Sequence, residues 1–582
     1  MNIKFKITFI LLIVFQAAFS QKKDENIGTE VVNVVKPYTP TISDAFKVKE
    51  TPPLDDEDIT KKKEIKYNIF SFPVASTFAP SKGRAANVDK EEQARLYKNF
   101  ATLGGGNYFT VNGELFITED VGETGYVGGM LRHLSSNGGI ENVLLEDSYN
   151  NSSADLTYGN KQSNLSFNID LGYQNQGYNW YGLPKDFGFE LEPGDYVDLF
   201  RSIEPGHTYH NAYLGGKVGF NESIFNEASL KYNRFWDSYG SEENRFYVKP
   251  VVSFDINNTR IKTRIIVDYI NGKFDETLHS PSKTYGITNL GLHPSFDMVR
   301  DDWSINFGAA AFFSMDMENS DNKFFIYPQV SASYKVVGDL MIFYAGAEGT
   351  LQQNSYRDFT NENPFLAPTQ QIAPTDRQFD VFGGLKGKLA NTVSYNLRTS
   401  IISEQSRALI KSNNYFSNET AENFEYGNSF GVVYDDMRTL SFFGELKADF
   451  SKNVAFGVNA TYNTYDNSLQ PEPWNLAKIK ASASLDVNIT KKWYAGANVF
   501  YVGERKDYQR NLNIIPEIDF VAVPTTLPGY FDANAHIGFN YSERLTFFLR
   551  GNNLGNQMYE KWLNYPVQGI QVLGGASYKF DF

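Results

Sequence analysis

The stretch Ile570-Gln571-Val572-Leu573-Gly574-Gly575-Ala576-Ser577-Tyr578-Lys579-Phe580-Asp581-Phe582 decides the fold. From Val572 onward every second residue is apolar or small, and the last residue is aromatic. Successive side chains of a β-strand point to opposite faces, so Val572, Gly574, Ala576, Tyr578, Phe580 and Phe582 form one row. Gln571, Ser577, Lys579 and Asp581 fall on the other face. A strand wetted by lipid on one side and water on the other needs this sidedness, and it marks the closing strand of an outer-membrane β-barrel.

The same alternation recurs upstream. Ile479, Ala481, Ala483, Leu485, Val487 and Ile489 alternate with Lys480, Ser482, Ser484, Asp486 and Asn488. Val454, Phe456, Val458, Ala460 and Tyr462 alternate with Gly457, Asn459, Thr461 and Asn463, and Ala533, Ala535, Ile537, Phe539 and Tyr541 with Asp532, Asn534, His536, Gly538 and Asn540. Counting such segments from Tyr108 onward predicts an all-β, transmembrane antiparallel barrel of about 22 strands over residues 100–582. Two of the predicted strands fall near residues 429 and 439, and Gly104-Gly105-Gly106 reads as a flexible lead-in to the first. Lys480, Asp486, Arg550 and Lys579 are the candidate lumen groups.

Connections alternate between short and long. Gly338-Asp339, Ala390-Asn391, Ser451-Lys452-Asn453, Thr490-Lys491-Lys492 and Ser542-Glu543-Arg544 read as tight periplasmic turns. Residues 135–151, 182–205, 353–376, 404–428 and 504–528 read as long extracellular loops, where recognition of any external ligand or partner is expected.

The first twenty residues carry Lys4 and Lys6, the apolar run Ile10-Leu11-Leu12-Ile13-Val14-Phe15 and then Ala18-Phe19-Ser20, the layout of a signal peptide cleaved after Ser20. That run is too short for a membrane helix, which needs roughly 20 apolar residues. The chain has no cysteine, which excludes disulfides and thiolate chemistry. An aromatic content of 15% beside a hydrophobic content of only 41% fits strands wetted on one face. The net charge of −14 argues against a nucleic-acid partner. Outer-membrane lipid is the expected surrounding, with the N-terminus periplasmic in a Gram-negative bacterium.

Residues 21–99 differ in character, being charged, proline-containing and poor in alternation. Asp55-Asp56-Glu57-Asp58 followed by Lys61-Lys62-Lys63 reads as a solvated linker, and Val88 to Phe100 as a short periplasmic helix. His207 and His210 are three apart on a predicted strand, which puts them on opposite faces and argues against joint metal binding. No metal site, cofactor site or catalytic constellation is expected, and the chain is read as a non-enzyme.

Pro473-Trp474-Asn475, Trp493-Tyr494-Ala495-Gly496, Phe531-Asp532-Ala533-Asn534, Phe548-Leu549-Arg550-Gly551-Asn552-Asn553-Leu554-Gly555-Asn556, Gln557-Met558-Tyr559-Glu560 and Tyr565-Pro566-Val567-Gln568-Gly569 follow one another in that order. This succession resembles the C-terminal quarter of TonB-dependent receptors. The resemblance implies a wide barrel around a plugged lumen and a role in outer-membrane transport. It also implies a folded plug ahead of the barrel, for which residues 21–99 are too few, so that this segment reads as a periplasmic extension or plug remnant. Val31, Val32, Val34 and Val35 are similar to the segment that contacts TonB, with a plain periplasmic strand as the simpler reading. The expectation is a transport barrel whose lumen is closed by its own tail, its loops or an envelope protein partner. The alternative is a non-transporting scaffold subunit of an outer-membrane complex.

Overall fold

The computed structural model describes residues 97–582 apart from 186, 188–192, 222, 258, 277–281, 415–422 and 510–522. A separate unit, Asp24–Arg95, lies outside them, and with it the candidate TonB-contact valines. So does the helix expected over Val88 to Phe100, except for its end, where Asn99 and Phe100 are in strand.

Twenty-two strands form a single sheet in which each strand pairs antiparallel with its neighbours in the chain. The ring closes where Asn99–Gly106 pairs with Val111–Val121 on one side and with Gln571–Phe580 on the other, placing Ala101 opposite Tyr578. Closure leaves no sheet edge with unpaired backbone groups, the condition for strands to cross a bilayer. No helix among the described residues is long and apolar enough to do so.

The predicted strand count is met, but two of its members are corrected. Gly104 to Gly106 are no flexible lead-in; they belong to the first strand and make the seam. A Cβ at Gly106 would stand 2.3 Å from the Val572 carbonyl oxygen, and one at Gly575 would stand 2.4 Å from that of Leu103. The strands predicted near residues 429 and 439 are one strand, Phe430–Ser451.

Strand length is uneven. Asn99–Gly106 has 8 residues, whereas Val393–Ser412 has 20 and Phe430–Ser451 has 22. About 9–11 tilted residues suffice to cross the hydrocarbon layer. The two longest strands therefore rise beyond it as a tall hairpin, whose register slips between Glu404 and Arg407.

The outward row is apolar, with Ile326 and Phe324 exposed at 70% and 64%. Near the long-loop end of that face His210 stacks on Trp236, and near the short-turn end Trp303 pairs with Tyr334 and Trp493 with Phe539. Aromatic groups at both rims suit the two bilayer interfaces. The principal apolar core lies at the long-loop end. It gathers Tyr209, Phe235, Phe274, Ile410, Phe430 and Val432 of the wall with Tyr356, Phe359, Leu366, Trp562 and Tyr565 of the loops.

Candidate functional site: the barrel mouth

The segment between the strands Met341–Gln352 and Thr375–Ala390 reads by composition as an external loop, yet it is largely buried. Tyr356, Asn363, Leu366 and Ala367 are at most 1% exposed. Two carboxylates, an arginine, two tyrosines and a histidine of the barrel wall hold it. Ser355 caps the helix Tyr356–Glu362, its side chain accepting from the Asp358 amide. Buried Glu243 accepts from the Tyr356 amide at 2.7 Å and from the Tyr285 hydroxyl at 2.7 Å. The Tyr356 hydroxyl donates to Asp237, which also accepts the amides of Tyr239 and Ser241. Arg245 bridges Asp268 on the neighbouring strand and Asp358 on the helix.

The far end of the segment is fixed as firmly. His207 Nε2 and the Tyr209 hydroxyl lie 2.8 and 3.0 Å from the Pro364 carbonyl oxygen. Leu366 forms a parallel bridge with Phe430, and the Gln370 amide donates to the Phe430 carbonyl and accepts from the Val432 amide. The wall residues involved lie on Gly206–Phe220, Phe225–Asp237, Glu242–Ile256, Thr259–Phe274, Lys283–Arg300 and Phe430–Ser451. Gly206–Phe220 lies seven strands around the ring from Met341–Gln352 and Phe430–Ser451 three strands the other way, so the segment runs across the mouth.

Other loops pack over it. Trp180 stacks on His207 with 4.0 Å between ring centres, and Phe365 on Tyr565 with 3.9 Å. Asn553, at φ +47°, donates to the carbonyls of Gln557 and Gln568 and so shapes the final loop, the turn role its residue type allows. Arg505 donates to the carbonyls of Glu560 and Lys561, tying the hairpin Arg505–Gln509 with Val523–Leu527 to that loop. In this hairpin Asp507 is fully buried, and desolvation pushes its carboxyl up to about 6 against hydrogen bonds from the Ser412 amide, Asn475 and the Tyr508 amide.

The candidate lumen groups are dispersed. Lys480 stands at the top of Ile479–Asn488, where its charge acts on Glu362 of the crossing helix. Asp486, Gly496, His536 and Arg550 occupy one register row over four adjacent strands. Gly496 leaves room for its neighbours in that row, since a Cβ there would stand 2.3 Å from the His536 ring and 2.7 Å from the Asp486 carboxyl in their present positions. Lys579 lies near the short-turn end opposite Phe100. His207 is buried against the crossing segment while His210 sits on the opposite face of its strand beside Tyr173. The sequence reading missed Glu243, Asp237, Arg245 and Tyr209 altogether, because nothing local to them signals a loop arriving from over a hundred residues away.

No known sequence family and no curated protein matches the chain. Solved structures do. The ferric-catecholate import receptor Fiu of Escherichia coli K12 superposes with a TM-score of 0.60 at 10% identity, over 84% of this chain and 82% of that one. The ferripyoverdine receptor of the Pseudomonas aeruginosa outer membrane gives 0.59 at 11%, over 84% and 73%. The copper transporter OprC gives 0.58 at 11%, over 84% and 82%. At this identity the likeness is one of fold: the chain is a closed 22-strand barrel of the architecture these receptors share.

Proposed function

We propose that the chain is a non-enzymatic outer-membrane transport barrel, similar to a TonB-dependent receptor, whose mouth is closed by its own segment 353–374. The observation that carries this reading is the burial of that segment across the ring, clamped at Tyr356 by Glu243 and at Pro364 by His207 and Tyr209. A wide barrel left open would breach the permeability barrier, so closure from within is what such a protein needs. Residues 21–99 are read as a periplasmic segment or plug remnant, and the long loops face the outside. Lys480 beneath the crossing helix and the row Asp486, His536 and Arg550 supply the charged groups that a solute meets in passing.

Planar-bilayer recording tests the reading. Exchanging residues 355–370 for a glycine-serine linker, in a chain that also lacks 21–96, is expected to turn small or absent currents into large steady openings. If the exchanged chain folds and stays silent, loop closure is wrong and a scaffold role gains.

A further inference from the structure

Beside the crossing segment lies a cavity of about 320 Å³, a size suited to a small ligand. Thr369, Gln370 and Gln371 of the segment form one wall, and residues 411–414 and 431–433 of the tall hairpin form another. Lys283, at the start of Lys283–Arg300, completes it. In a chain of net charge −14 this lining holds two lysines and no carboxylate. Neither lysine makes an ion pair with another described residue.

Lys411 is held by rings rather than by acids. Its ammonium lies 4.7 Å from the centre of Tyr508 and 5.9 Å from that of Trp474. Asp507, the acid whose charge acts on it, already accepts from Ser412, Asn475 and Tyr508. Thr369 is 7% exposed, and its hydroxyl has no partner among the described residues. A buried hydroxyl without a partner costs stability, so this one calls for a ligand or water. The side chains of Gln371, Ser412, Asn413 and Asn414 add amides and a hydroxyl to the wall.

We propose that this cavity binds a small hydroxylated anion of the sugar-acid class. The ammonium groups of Lys283 and Lys411 take the carboxylate, and the Thr369 hydroxyl with the neighbouring amides takes the ring hydroxyls. The inference deepens the transport reading, on which it rests for its meaning, by naming a class of cargo. The cavity touches residues 369–371, so an occupant contacts the element that closes the mouth.

The test is calorimetric titration of the full chain in detergent with D-glucuronate, D-glucose and inorganic phosphate as probes. Glucuronate is expected to bind saturably, with glucose and phosphate each weaker by about tenfold or more. K411Q and T369V are each expected to weaken glucuronate by about tenfold, and K283Q, at an exposed position, gives the same loss should T369V fold poorly. Absence of glucuronate binding, or binding untouched by K411Q and K283Q, overturns the proposal. Equal affinity for phosphate or for glucose overturns it too, by removing the need for hydroxyls or for charge. Uptake of labelled glucuronate into vesicles separates the two readings: saturable binding without uptake sinks transport alone, and uptake without binding at this cavity sinks the cavity alone.

Discussion

The Glu243 carboxylate, on the barrel wall, accepts the backbone amide of Tyr356, the first residue of the crossing helix, at 2.7 Å. The pair joins two elements 113 positions apart in sequence and gives a free amide of the helix's first turn a buried acceptor. Removing it tests the clamp. E243A leaves the Tyr356 amide and the Tyr285 hydroxyl without this acceptor, at about 1–3 kcal/mol for each buried group. Trypsin cleavage after Arg357 is expected to quicken by roughly tenfold or more, because cleavage tracks the population of the open form. An unchanged rate in a folded variant would remove Glu243 from the clamp.

Asp507 sets a pH dependence at the outer hairpin. Burial pushes its carboxyl up to about 6, from an ordinary value of 3.8. The folded state thus binds the proton more tightly, so docking of the hairpin strengthens as pH falls through 6 and gains nothing further below 3.8. Hydrogen exchange at the Ser412 and Tyr508 amides is expected to be slower, after correction for intrinsic rates, at pH 5 than at pH 7.5. The D507N variant should lose the difference; a persistent difference would place the titrating group elsewhere.

The seam predicts where side chains are refused. A Cβ at Gly575 would lie 2.4 Å from the Leu103 carbonyl oxygen and 2.5 Å from the Phe548 ring, whereas one at Gly113 meets nothing within 4 Å. G575V should abolish the compact, heat-modifiable band on a gel, and G113A should keep it. Equal folding of the two would mean that the ring closes at some other pair of strands.

Sidedness is testable because the chain has no native cysteine. A nitroxide on L485C, where the native leucine is 40% exposed on the apolar row, should relax with oxygen dissolved in lipid. One on S484C, its immediate neighbour on the opposite face, should not. Matching oxygen accessibility at both sites would contradict the assignment of faces.

The barrel itself was legible because period-two alternation is a local property. Ile479, Leu485 and Ile489 read as lipid-facing, and they are 41%, 40% and 56% exposed in the folded chain. The seam strand escaped because three glycines erase alternation, although glycine is what lets Gly104 and Gly575 face each other. The strand Phe430–Ser451 was divided because Asp435, Asp436 and Arg438 interrupt its pattern. That stretch rises beyond the bilayer, where Asp435 is free to accept the amides of Ser468, Leu469 and Gln470. The crossing segment was least legible of all. Asn354, Asn363 and Gln370 look solvent-loving, and their burial depends on backbone partners such as Ala373, Phe365 and Val432 that only the fold supplies.

The account turns on residues 353–374 closing the mouth, and single-channel conductance reads this most directly. In the chain without residues 21–96, the intact segment should give small or absent currents, and its exchange for a flexible linker should give large steady openings. Equal conductance before and after the exchange, in barrels shown to be folded, would contradict closure by this segment.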